Sequence, residues 1–161
     1  MKNRTTRRIC LTALMAAIIY VFTAYIHVPS HTGYTHVGDG FLYLAASLFP
    51  APFAAAAGAI GAGLADLLSG YGIWAPGTVI IKVLTAFCFT NRREKLVNKR
   101  NVLGILPALV LCVGGYYLYE ALITGTFTAP ALGIPGYLTQ VALSSVVYLA
   151  LGSALDRAGI K

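Results

Sequence analysis

Residues 40–65, GFLYLAASLFPAPFAAAAGAIGAGLA, form a stretch of 26 residues without a formal charge. Read whole, the stretch is one long membrane span; read with a break at Pro50-Ala51-Pro52, it is two. Prolines this close remove backbone donors and clash with the preceding helical turn, and each pushes the residue before it toward extended backbone. The choice fixes the number of membrane crossings, and the charges on either side decide it.

Working outward, further apolar runs cover residues 9–28, about 73–90, 102–124 and 136–155. Lys2, Arg4, Arg7 and Arg8 precede the first run; Arg92, Arg93, Lys95, Lys99 and Arg100 fill one polar break; Arg157 and Lys161 close the chain. Lys/Arg-rich flanks stay in the cytoplasm. With the N-terminus inside, one span over 40–65 would send the break at 92–100 outside with five positive charges. Two spans return it, and the tail, to the cytoplasm. The reading is therefore six transmembrane helices in a single domain over 1–161, with spans near 9–28, 39–49, 52–68, 73–90, 102–124 and 136–155. Both termini are expected in the cytoplasm of a multi-pass protein of a bacterial cell membrane. The second span is short for a ~30 Å core and should be tilted or partial, with irregular backbone shielded by neighbours.

Composition agrees. The 161 residues are 58% hydrophobic and 11% charged, against about 25% charged for a soluble domain. A net charge of +7 could point to nucleic acid, but eleven of the twelve basic residues flank apolar runs; no nucleic-acid partner is expected, and membrane lipid is. Arg7-Arg8 resembles the start of a signal peptide. The 20 uncharged residues that follow show no small-x-small cleavage site before His31, so a retained helix is expected. Cys10, Cys88 and Cys112 lie in apolar segments without metal-ligand spacing and read as packing residues.

Four ionisable residues fall outside the basic flanks: Asp39, Asp66, Lys82 and Glu120. A charge at the centre of a span costs about 2.5–3.5 kcal/mol and normally faces a cavity or a partner. At ~1.5 Å per residue, Lys82 lies about 12 Å below Trp74, and its stem can snorkel upward. All four groups then fall in the outer third of the membrane. An Asp66–Lys82 ion pair bracing two helices would explain that pair but not Asp39 and Glu120. Around the same level stand His31, Tyr34, His36, Tyr71, Trp74, Tyr116, Tyr117 and Tyr119. Singly, such rings anchor a protein at the interface; with the carboxylates they make a pocket for a flat polar ring. The substrate-binding candidates are His36, Asp39, Asp66, Tyr71, Trp74, Lys82, Tyr116 and Glu120. His27, His31 and His36 have no diagnostic metal spacing, and neither metal nor cofactor is expected.

Small residues form a second pattern. Ala54, Ala57, Gly58, Gly61, Ala62 and Ala65 make a stripe for close helix packing, and Ala13-x-x-x-Ala17 makes another in the first span.

The elements His36-Val-Gly-Asp39-Gly, Phe49-Pro50, Gly58-Ala-Ile-Gly61-Ala-Gly-Leu-Ala-Asp66-Leu-Leu-Ser-Gly-Tyr71, Ala75-Pro-Gly-Thr78 and Ile80-Ile-Lys82 resemble S components of energy-coupling-factor (ECF) transporters, in the riboflavin-type branch. The resemblance covers the whole chain and is most specific over residues 36–82. It implies an all-α bundle of six transmembrane helices that captures a micronutrient from outside. It also implies partners: a membrane T component and two ATPase subunits, on which the S component docks, tilts and releases its ligand inside. In that family an Ala-x-x-x-Ala motif of the first helix meets the T component, which gives Ala13 and Ala17 that role by resemblance. The chain has no Walker A loop, so ATP hydrolysis falls to a partner.

His36-x-Gly-Asp39 and Pro76-Gly-Thr-x-x-x-Lys82 look most like a subgroup associated with queuosine or queuine salvage. Carriers of hydroxymethylpyrimidine, pyridoxine or riboflavin are the alternatives. Three carboxylates against one lysine favour a ligand with an amine. Two other classes of membrane protein fit less well. An intramembrane enzyme lacks support, since no Gly-x-Ser-x-Gly or His-Glu-x-x-His occurs; a stand-alone secondary transporter would show repeated halves, and none is visible.

Overall fold

The computed structural model describes residues 2–29 and 34–160, and side chains from residue 4 onward. The elements run α1 (Lys2–Ala24), β1 (His27–Pro29), β2 (Tyr34–His36), α2 (Gly38–Leu48), α3 (Ala51–Leu68), α4 (Ala75–Ala86), α5 (Lys99–Thr124), a 3-10 turn (Ala129–Gly133) and α6 (Ile134–Arg157). Among the described residues this is an all-α membrane bundle of six helices plus one small hairpin. Stretches from α1, α3, α5 and α6 are long and apolar enough to cross a membrane; α4 is apolar but shorter.

The break at the prolines is sharp. Phe49 is extended, with φ −109° and ψ 157°, Pro50 caps α3, and Pro52 sits in its first turn. A proline there gives up only an N–H that the helix leaves unused. α2 has 11 residues, about 16 Å of rise, and nine of them are buried. Its neighbours shield it, as a short helix in lipid requires.

α1 packs along α3, α3 along α4, and α2 along α6. The stripe Ala54, Ala57, Gly58, Gly61, Ala62 and Ala65 is buried throughout, so it serves packing between helices. Contacts at each end fix the up-and-down order. At one end Arg8 lies 5.8 Å over the Phe53 ring, and Asp156 accepts from Leu96 N and Val97 N at 2.7 and 3.0 Å. At the other, Thr35 Oγ1 donates to Gly136 O at 3.3 Å. They are called the basic end and the hairpin end below.

Three helix boundaries differ from the apolar runs. α1 stops at Ala24, and His27–Pro29 pairs antiparallel with Tyr34–His36, in register His27↔His36 and Pro29↔Tyr34; Pro29 cannot continue a helix. α4 stops at Ala86 rather than near residue 90. Phe87 N and Cys88 N close tight turns on Leu84 O and Thr85 O, and Phe89 turns inward to stack on Tyr43 at 4.7 Å. α5 starts at Lys99, inside the basic break, because Asn98 caps it by accepting from Asn101 N at 3.1 Å. Asn101, fully buried, donates to Thr90 O, Leu96 O and Ser47 Oγ at 3.0–3.1 Å and ties the connecting loop to the bundle.

Candidate functional site

The site begins with the first turn of α2. Gly38 and Gly40 flank Asp39. A Cβ at Gly38 would collide with Thr23 Oγ1 of α1, and one at Gly40 would lie 2.6 Å from Ser144 O of α6. Only glycine allows α2 to enter so tightly between these helices, and that approach carries Asp39 into the bundle. There Lys82 Nζ of α4 stands 2.7 Å from Asp39 Oδ1 and 2.9 Å from Oδ2. Gln140 of α6 donates its amide to Asp39 Oδ2 at 2.9 Å. Lys82, Asp39 and Gln140 are all almost fully buried. Lys82 therefore pairs with Asp39 rather than with Asp66.

A cleft opens beside this group. It is lined by Tyr34, His36, Asp66, Tyr71, Trp74, Thr78, Tyr116, Tyr137 and Gln140. Tyr116 and Tyr137 stack with ring centroids 5.1 Å apart and planes 16° from parallel. Tyr71 packs against Tyr34 at 4.7 Å and edge-on to Trp74 at 6.1 Å. Lys82 Nζ lies 5.2 Å from the Tyr116 ring centre, within cation–π range. Tyr116 Oη and Thr78 Oγ1 share a hydrogen bond of 3.1 Å. The cavity is about 30 Å³, against about 10–15 Å³ needed to hold one water, so a heteroaromatic ligand enters only if the rings part.

Asp66 is the acid on the cleft wall. Tyr34 Oη donates to its Oδ1. Oδ2 is buried and, among the described residues, has no hydrogen-bond partner; the same holds for Trp74 Nε1. Buried polar atoms left unpaired cost about 1–3 kcal/mol each. An acceptor and a donor on one cleft wall are therefore poised for a polar ligand. His36, in the hairpin, accepts from Gly38 N through Nδ1 at 3.2 Å. Burial pushes its imidazole down to about 3, with Asp39 pulling the other way.

Of the eight candidates, His36, Asp66, Tyr71, Trp74 and Tyr116 line the cleft. Asp39 and Lys82 lie behind Gln140. Glu120 does not join them: it accepts from Tyr137 Oη at 3.0 Å and touches the cleft only through that ring. Tyr117 and Tyr119 point elsewhere, donating to Phe127 O and Ile73 O at 2.8 Å. His31 lies outside the described residues. Thr78, Tyr137 and Gln140 were not among the candidates. Gln140 carried a signal, as a lone amide within an apolar span; Thr78 stood in a quoted motif; Tyr137 had none.

The six-helix membrane bundle agrees with what comparison shows. The sequence profile of the family described as "ECF-type riboflavin transporter, S component" matches residues 3–157. The chain belongs to this family, and it is a substrate-binding component of an ECF-type importer. The family is one of transporter components, not of enzymes, and its members work with an ECF T component and ATPase modules. No individual curated protein matches the chain.

Proposed function

We propose that this S component captures a small heteroaromatic micronutrient bearing one amine, with queuine or queuosine as the best-fitting ligand, at the hairpin end facing the outside. One observation carries the reading. Lys82 neutralises Asp39, Glu120 is engaged by Tyr137, and among the described residues Asp66 alone presents an unpaired carboxylate oxygen on the cleft wall. One buried negative charge calls for one positive charge. The protonated amine of queuine supplies it, Trp74 Nε1 donates to an acceptor on the base, and the tyrosine rings sandwich the bicycle. The ligand-site residues are then His36, Asp66, Tyr71, Trp74 and Tyr116, with Asp39 and Lys82 as their buried support.

Riboflavin, named in the family description, is the second reading. A neutral tricycle would leave Asp66 without its countercharge. The test is titration of the purified protein with queuine, with 7-deazaguanine (which lacks the amine arm), and with riboflavin. Queuine should bind tightest, and Asp66→Asn should reduce its affinity about 10- to 100-fold, the range of a hydrogen bond to a charged group. Tighter binding of riboflavin, or indifference to Asp66→Asn, would refute the assignment.

We further propose that the basic end lies in the cytoplasm, since the hairpin end carries no lysine or arginine in its connections. Ala13 and Ala17 are the docking residues. Both are exposed, and they line an apolar groove of about 640 Å³ between α1 and α3 with Ile9, Tyr20, Phe53 and Ile60. A small-residue face of this kind lets a partner helix approach closely.

A further inference from the structure

A second cleft, of about 830 Å³, lies at the basic end, where the α2–α3 corner meets the end of α4. Substrate capture does not use it. Arg92, Arg93 and Arg100 line it together with Pro50, Phe87 and Phe89, and none of its lining residues is acidic. Arg100 Nη1 donates to Cys88 O at 2.7 Å. A guanidinium has five N–H donors, so this bond steadies the group and leaves others to receive an anion.

An apolar path leads to the arginines. Ile80, Leu84 and Phe87 are 59%, 46% and 56% exposed, and their spacing of four and three residues puts them on one helix face. The path ends early: α4 has 12 residues, about 18 Å of rise, against a hydrocarbon core of about 30 Å. A short apolar segment draws the bilayer surface toward itself. A lipid phosphate beside α4 would then sit at the level of the arginines.

We propose that this cleft binds an anionic phospholipid, its phosphate held by Arg92, Arg93 and Arg100 and its acyl chains lying along Ile80, Leu84 and Phe87. Basic pockets between transmembrane helices at a membrane surface have this preference. A soluble phosphate would use the arginines but not the apolar strip. With the basic end in the cytoplasm, as proposed above, the lipid belongs to the inner leaflet; binding itself does not depend on that orientation.

Native mass spectrometry of the detergent-purified chain tests the site, with phosphatidylglycerol, phosphatidylcholine of the same chains, and glycerol phosphate as probes. The expected result is retention of one phosphatidylglycerol and neither of the others. A direct hydrogen bond between charged groups is worth roughly tenfold or more, so Arg92→Gln with Arg93→Gln should weaken retention on the order of 100-fold. Lys95→Gln with Lys99→Gln removes equal charge from the same segment outside the cleft lining and should leave retention nearly unchanged. Should the arginine pair lower the thermal midpoint, Phe87→Gln at its exposed position carries the same test through the chain contact. Equal loss in the lysine control, equal retention of phosphatidylcholine, or equal binding of glycerol phosphate would overturn the proposal. So would unchanged lipid retention with loss of T-component assembly in the arginine variant, which would assign the cleft to the partner.

Discussion

Lys82 Nζ contacts both carboxylate oxygens of Asp39, at 2.7 and 2.9 Å, and joins α4 to α2 where neither side chain reaches water. The pair is a brace rather than an open ligand for cargo. Removing one partner from a buried pair strands the other charge and typically costs about 3–5 kcal/mol, whereas removing both is far milder. Lys82→Met and Asp39→Asn should each lower stability in detergent by an amount of that order, and the double variant should be more stable than either. Denaturant titration of the three variants checks this. Additive losses would mean that the two groups do not depend on each other.

The hairpin contributes a pH dependence. His36 is held down to about 3 by burial, from an ordinary value near 6.5. The folded imidazole is therefore neutral and the unfolded one takes up a proton below pH 6.5. Its contribution is complete above that value and is lost as pH falls toward 3. From pH 6.5 to 5 the loss should be about 2 kcal/mol. His36→Gln keeps an acceptor for Gly38 N and removes the titration, so its thermal midpoint should fall less over that window. An unchanged slope would place the acid sensitivity elsewhere.

Much of the fold was legible in the sequence because membrane insertion writes itself in one dimension. Apolar run length, the Pro50/Pro52 break and basic flanks together give six helices. What required three dimensions was facing. Depth along a helix puts Asp66, Lys82, Asp39 and Glu120 near one level, but depth says nothing about rotation. Lys82 turns to Asp39, 43 residues away in sequence, rather than to Asp66 on the adjacent helix, and Glu120 turns to Tyr137. The end of α4 was hidden for a similar reason. Residues 87–90 are as apolar as the helix before them, and it is in three dimensions that Phe89 leaves helical register to stack on Tyr43 and meet Tyr148 edge-on.

Orientation is open to labelling. With Cys10, Cys88 and Cys112 replaced, a membrane-impermeant maleimide applied to intact cells should modify Phe127→Cys, whose position is 69% exposed at the hairpin end. It should modify Lys95→Cys, at the basic end, only after permeabilisation. The reverse pattern would invert the proposed topology and place the ring-lined cleft inside the cell.

The α1 groove gives the sharpest separation between capture and transport. Ala16 faces the core while Ala13 and Ala17 are exposed, so the helix buries one small residue against α3 and leaves two for a partner. The groove they line shares no residue with the ring-lined cleft. Lipid offers the groove the same apolar environment that another helix would, so the gain on docking comes from close backbone approach and van der Waals contact. Ala13→Trp with Ala17→Trp fills that space without altering the polar wall at Asp66 and Trp74. Assembly with the T component and uptake should be abolished, while ligand affinity of the isolated chain should stay within about twofold, since none of its contacts changes. Intact uptake, or loss of ligand binding together with assembly, would show that this face of α1 is not where the importer comes together.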